Sequence, residues 1–224
     1  MNLLQYGLQR SGTNFLETIL KKNYQIQFLN SNQDRRSPLQ KHFRLYDAKD
    51  IVPGPQYQND ILIEDFAHFE HLFPTLPDYY LIISKDPYSW YLSYMSWANK
   101  CNWPNVNHHY IEEYNFFYGK FLEFSSQTDK LIFIRYIDLI KDVNKTLNQL
   151  ELRTHFRKKL FARLTLRQPN KVSHSSHFTE DKRAYYTNKK YLAEYAEDEL
   201  QTLNNLLDSH VISLLGYEKI TAIK

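Results

Sequence analysis

Between Tyr6 and Phe15 the chain runs Gly7-Leu8-Gln9-Arg10-Ser11-Gly12-Thr13-Asn14, joining an apolar strand (Leu3, Leu4) to a helix expected to begin near Thr13. Such a turn aims consecutive backbone N–H groups and the positive end of a helix dipole at whatever lies before it, so it is an anion site. Gly7 and Gly12 have the G-x-x-x-x-G spacing of a phosphate-binding loop, but Thr13 stands where that loop carries lysine. The basic residue is Arg10, two positions before the second glycine.

A second candidate lies mid-chain. The strand Tyr80–Ile83 runs into Ser84-Lys85-Asp86-Pro87, and proline is favoured in the first turn of a helix. Lys85 is thus expected at a strand end and Ser93 about two turns into the following helix. Two further segments follow the strands Ile26–Leu29 and Leu131–Ile134. Lys41-His42 offers an imidazole whose free pKa of about 6.5 suits it to take a proton near neutrality. Arg135-Tyr136-Ile137-Asp138-Leu139 opens a helix whose first turn Asp138 caps or charges.

The Arg10 loop, the Lys85 segment and the Tyr136–Leu139 segment, in this chain order, resemble the PAPS-dependent sulfotransferases. Arg10-Ser11-Gly12-Thr13-Asn14 is similar to their 5′-phosphosulfate loop, (Lys/Arg)-Ser/Thr-Gly-Thr-Thr/Asn. Lys85, Pro87 and Ser93 follow the family frame Arg-x-Pro-x-x-x-x-x-Ser-x-Tyr, which holds the nucleotide's 3′-phosphate, with Tyr94 directly after the serine; Lys85 replaces the arginine and loses its bidentate fork. Lys41-His42 resembles the segment carrying the catalytic histidine in many cytosolic members, one residue shorter here. Tyr136-Ile137-Asp138-Leu139 is like the Tyr-Glu-Asp-Leu landmark, with Ile137 for glutamate, and Leu215-Gly216-Tyr217 closes the match. The resemblance implies 3′-phosphoadenosine-5′-phosphosulfate as donor, held by Arg10, Ser11, Gly12, Thr13, Asn14, Lys85 and Ser93. Arg10 would stabilise the leaving phosphate, Lys41 assist and His42 act as base; Glu17, Glu64 or Asp65 are the carboxylate alternatives. The acceptor would be a small molecule or carbohydrate bearing a hydroxyl or amine. A sulfuryl group carries less charge than a phosphoryl group, so side-chain cations suffice and no metal is expected. The family's Arg-Lys-Gly signature is absent from the late basic stretch of Arg167, Lys171, Lys182 and Arg183, which could meet donor or acceptor.

The elements needed to position these residues follow from periodicity. Strand-like runs at Leu3–Tyr6, Ile26–Leu29, Ile61–Ile63, Tyr80–Ile83 and Leu131–Ile134 alternate with helical patterns. Helices are expected over Tyr88–Ala98, with Trp90, Tyr91, Tyr94 and Trp97 as core rings, over Ile111–Phe124, and through Leu139, Val143, Leu147 and Leu150. A last helix spans about Lys189–Leu215 and stops at Gly216. Residues 165–182 read as a long polar loop. The pattern predicts one α/β domain over residues 1–224, a three-layer P-loop-like fold with a central parallel sheet flanked by helices.

Composition narrows the classes. Hydrophobic residues make up 42% and charged residues 24%, which is globular, and no apolar run approaches the about twenty residues of a membrane span. The opening residues lack a basic signal region, and the single cysteine, Cys101, suits a reducing compartment, so a cytoplasmic location is expected. A net charge of +3 allows a polyanionic small ligand but does not suggest nucleic acid. The pairs His68/His71, His108/His109 and His174/His177 have neither cysteines nor an H-E-x-x-H pattern to make a metal site. Two other functions remain open: a P-loop phosphotransferase, with Ile61-Leu62-Ile63-Glu64-Asp65 imitating a Mg²⁺-binding strand, and a non-catalytic nucleotide-binding module of the same fold.

Overall fold

Side chains alternate across a strand, and here both faces of the strands are apolar, which requires helices on both sides. The computed structural model describes residues 1–30, 34, 36–45, 61–103, 106–163 and 179–220. Its parallel sheet holds β1 (Asn2–Tyr6), β2 (Gln27–Phe28), β3 (Tyr79–Ser84) and β4 (Leu131–Arg135) in the order β2-β1-β3-β4. The register sets Tyr6 opposite Ile82 and Ile82 opposite Phe133. Around it lie α1 (Thr13–Asn23), α2 (Phe66–His71), α3 (Pro87–Lys100), α4 (Tyr110–Ser125) and α5 (Tyr136–Lys141). The remainder are α6 (Val143–Thr154), α7 (Glu180–Thr187), α8 (Glu197–Leu206) and α9 (Ser209–Leu214). Leu3, Leu81, Ile83, Ile132 and Ile134 pack beneath α1, α5 and α6. Leu4, Tyr6, Tyr80 and Ile82 face α2, α3, α4, α8 and α9. This is the three-layer α/β fold expected from the sequence. Among the described residues no helix is long and apolar enough to cross a membrane.

Strand order fixes where a ligand can sit. The chain leaves β1 for β2 on one side and returns across it to β3, so the connections from β1 and β3 diverge. A crevice opens at that reversal, beyond the C-terminal strand ends. The turn Gly7–Gly12 and the turn Lys85–Asp86 border it.

Several expected elements are corrected. Ile61–Ile63 forms no strand: Leu62 is 57% exposed, so the run cannot bury two faces, and Asp65 caps α2 by accepting from His68 N at 2.7 Å. The helix through Leu139–Leu150 is two helices, because Asp142 turns its carboxylate to Lys145 N (2.9 Å) and restarts the chain as α6. The stretch Lys189–Leu215 is likewise divided into a 3₁₀ turn (Lys190–Glu194), α8 and α9, where Asp208 accepts from His210 N and Val211 N. Gly216 does end the last segment: at φ 76° it allows Tyr217 N to bond Ile212 O and Gly216 N to bond Ser213 O, a Schellman motif. Of the polar stretch 165–182, residues 165–178 lie outside the described residues, and Thr179 caps α7 and places Lys182 on a helix. Trp97 is half-buried rather than part of the core that holds Trp90, Tyr91 and Tyr94.

One buried ion pair ties the upper layer to the turns. Arg44 and Glu113 are both fully buried, with Nη2 to Oε2 at 3.2 Å. Tyr94 OH donates to the same carboxylate oxygen (2.7 Å), and His108 Nε2 lies 2.9 Å from the other. Arg44 also donates to Gln9 Oε1 (3.2 Å) and the His42 carbonyl (3.4 Å). Removing one partner leaves the other charge buried, which typically costs about 3–5 kcal/mol. Glu113→Ala is therefore expected to lose that much stability in urea unfolding, and Arg44→Met with Glu113→Leu to recover part of it; a single-variant loss below about 1 kcal/mol would contradict this role.

Candidate active site

The turn after β1 is packed so closely that its two glycines leave no room for side chains. Gly7 N donates to Lys41 O (3.1 Å), and a Cβ on Gly7 would sit 2.8 Å from Ile83 O and 2.5 Å from Ser11 Oγ. Gly12 lies at φ 105°, and its Cβ would strike the Tyr136 ring at 2.5 Å. Arg10 takes φ 71°, a conformation costing a non-glycine residue about 1–3 kcal/mol and concentrated at functional turns. Trp90 Nε1 holds the turn by donating to Gln9 O at 2.9 Å. Gly12 caps α1 without a side-chain bond, so the Thr13 and Asn14 N–H groups at the helix start have no intrahelical acceptor.

Lys41 and His42 close one side of this turn. Lys41 Nζ donates to Asn14 Oδ1 (2.5 Å) and lies 3.6 Å from Glu17 Oε2. Glu17 is engaged further by Lys21 (2.5 Å) and Gln5 Nε2 (3.0 Å). His42 is 9% exposed, and its Nδ1 is 2.6 Å from Gly7 O. A carbonyl can only accept, so Nδ1 carries the proton there and Nε2 is the accepting nitrogen of the neutral ring.

Lys85 stands at the end of β3, 3% exposed, its carbonyl held by Tyr114 OH at 2.8 Å. Its Nζ donates to Ser93 Oγ (2.8 Å) and Tyr186 OH (3.2 Å), over the Tyr186 ring at 4.5 Å and the Tyr136 ring at 5.8 Å. Burial lowers the Lys85 pKa from 10.5 to about 7, helped by the charges of Arg10 and Lys182 and opposed by Asp86. Lys182 is also lowered, by burial and then by Arg10. The Arg10 guanidinium lies 5.1 Å above the Trp97 ring, one turn of α3 beyond Ser93 and so about 6 Å along the axis. Arg10, Lys85, Ser93 and Lys182 thus meet at one crevice, and three of the four are cations.

The remaining candidates lie elsewhere. Asp65 caps α2, next to Phe66, whose ring packs on Tyr80 and Phe124 at the opposite end of the strands; its neighbour Glu64 is exposed. Arg183 lies 3.6 Å from Glu180 on α7. Asp138 accepts both Arg135 Nε and Nη2, at 2.7 and 3.0 Å, in the first turn of α5. Arg167, Lys171, His174 and His177 lie outside the described residues. Among the described residues no three His, Cys, Asp or Glu side chains gather as a metal-ligand set. Sequence reasoning missed Tyr186 and the roles of Tyr136 and Trp97 at the crevice. Tyr186 belongs to Tyr185-Tyr186 in a helix with no buried residue, and no periodicity marks it.

The lowered Lys85 pKa gives a stability test with a definite sign. Between pH 7 and 10.5 the unfolded chain binds a proton that folded Lys85 sheds, so its cost is complete below 7 and fades toward 10.5. Lys85→Met is expected to stabilise the protein by about 1–4 kcal/mol near pH 7, with the gain shrinking by pH 10. Thermal unfolding over that range checks it; a loss of stability at pH 7 would contradict it.

No family model matches the chain, and no curated protein matches it in sequence. Among solved structures it is similar to the mouse sulfotransferase SULT7A1 complexed with PAP. That likeness has 13% identity and a TM-score of 0.47, covering 92% of this chain and 82% of that one. The functional reading therefore rests on the residues and geometry of the site.

Proposed function

We propose that the chain is a sulfotransferase that takes its sulfuryl group from 3′-phosphoadenosine-5′-phosphosulfate and passes it to a hydroxyl or amine of a small molecule or carbohydrate. The observation that carries the reading is the convergence of two anion-holding elements on one crevice. Arg10 and the N–H groups of Thr13 and Asn14 stand at the end of β1; Lys85 and Ser93 stand beyond β3. Two phosphate groups on one nucleoside are the charge such a pair of pockets fits. The turn accepts the closer phosphate because Gly7 and Gly12 leave no Cβ in the way.

When bound, the donor supplies an SO₃ unit on a bisphosphate leaving group. Arg10 would offset charge growing on the departing 5′-phosphate, an effect worth about 10²–10³ in rate for a single donor. His42, held as the Nδ1–H tautomer by Gly7 O, offers Nε2 to the acceptor's proton. Lys41, anchored by Asn14 and Glu17, adds positive charge beside the turn. The phosphotransferase alternative gains no support: Thr13 occupies the lysine position, and Ile61–Asp65 is not a strand.

Adenosine 3′,5′-bisphosphate in EDTA at about 100 times its Kd is expected to stabilise the protein by about 2.7 kcal/mol in thermal unfolding. Stabilisation by Mg-ATP with no response to the bisphosphate would sink the assignment. His42→Ala is expected to lower kcat by about 10²–10⁴ with nucleotide affinity changed only a few-fold. Near-normal turnover in that variant would remove histidine from the role of base.

A further inference from the structure

We infer that Lys85 and Tyr186 make the second pocket specific for a terminal phosphomonoester by taking up a proton together with the anion. This rests on the nucleotide reading above and assigns Tyr186 as a further specificity-determining residue. The geometry is that of a cation enclosed without a counter-ion. Lys85 Nζ is surrounded by Ser93 Oγ, Tyr186 OH and the faces of Tyr186 and Tyr136. Among the described residues no carboxylate comes within ion-pair distance of it.

The charged groups facing Lys85 are mostly of its own sign. Arg10 faces it from the β1 turn and Lys182 from α7. At the N-cap of α3 the acid acting on Lys85 is Asp86, which spends an oxygen on Ser89 N at 3.1 Å and whose own pKa is raised by burial. The adjoining cavity, about 190 Å³, adds Arg135, Lys189, Tyr191, Tyr217 and Glu218 on its far walls. Burial beside two cations favours the neutral amine, consistent with the lowered pKa. A phosphate dianion reverses that balance, because it supplies the missing counter-charge at the ammonium. Arginine in this position would stay charged throughout; lysine can discharge and recharge.

Tyr186 gives the pocket its selectivity. Its hydroxyl sits with Ser93 at the ammonium, and its ring crosses Tyr136 at 5.4 Å, which holds α7 over the crevice. Ser93 and Tyr186 hydroxyls can both turn to donate to a phosphate, so the group entering is met by an ammonium and two O–H donors. A dianionic phosphomonoester, with its second pKa near 6, recharges Lys85 more strongly than a monoanion or a free hydroxyl does.

Calorimetric titration of the full chain at pH 8, in two buffers of different ionisation enthalpy, tests this with adenosine 3′,5′-bisphosphate and adenosine 5′-monophosphate. The expected result is uptake of close to one proton with the bisphosphate and none with the monophosphate. The bisphosphate Kd is expected to weaken about 20-fold from pH 7.5 to 9, while Lys85→Arg binds it with a nearly flat profile. Tyr186→Phe, which keeps the ring, is expected to lose about 10-fold in preference for the bisphosphate and keep its affinity for the monophosphate. Tight bisphosphate binding without proton uptake by the unaltered chain would overturn the inference and leave the nucleotide assignment standing. Absence of bisphosphate binding between pH 6 and 9 would overturn both.

Discussion

Arg10, Lys85 and Lys182 face one another across the crevice between β1 and β3, where burial and then the charge of Arg10 lower the proton affinity of both lysines. Like charges placed together in a partly desolvated site are unfavourable, and a fold tolerates them where an anion relieves the repulsion. Much of the surrounding structure is arranged to hold them there. Tyr114 fixes the Lys85 backbone, Trp90 fixes the turn before Arg10, and Trp97 supports the guanidinium. The cost of assembling the cluster is met by the apolar layers on both sheet faces.

The sheet supplies placement rather than chemistry. Reversal of strand order between β1 and β3 brings the two turns side by side though they lie some seventy residues apart in sequence. Arg44 and Glu113 then connect the turns to α3 and α4 through Gln9, His42 and Tyr94. Because that pair is dry, its members cannot relax into solvent when a neighbour shifts. The His42 imidazole and the Arg10 turn are thereby kept in fixed relation, with Gly7 touching both.

The parts of this architecture that were legible from sequence are those with a local cause. Gly7, Gly12, Pro87 and the apolar runs at Leu3–Tyr6, Tyr80–Ile83 and Leu131–Ile134 specify turns, a helix start and strands without outside help. Lys85 and Ser93 are legible as a pair through the family frame they resemble, and in the fold Nζ and Oγ meet at 2.8 Å. Ile61–Ile63 misled because a short apolar run has no register of its own, and its role was decided by the Asp65 cap. Lys189–Leu215 is not one helix in part because Asp208 starts a new segment through its side chain, which hydrophobic spacing does not register. Tyr186 was invisible for a different reason. Its place over Lys85 depends on how α7 lies against α5, a tertiary fact with no signature in the segment's own pattern.

In the proposed function a single nucleoside is gripped at both phosphates by elements from β1 and β3. A crystal structure with adenosine 3′,5′-bisphosphate tests it most directly. The expected density places the 5′-phosphate against Arg10 and the Thr13 and Asn14 N–H groups, and the 3′-phosphate against Lys85 and Ser93. A nucleotide bound elsewhere, or held by only one of these elements with its other phosphate in solvent, would contradict the claim.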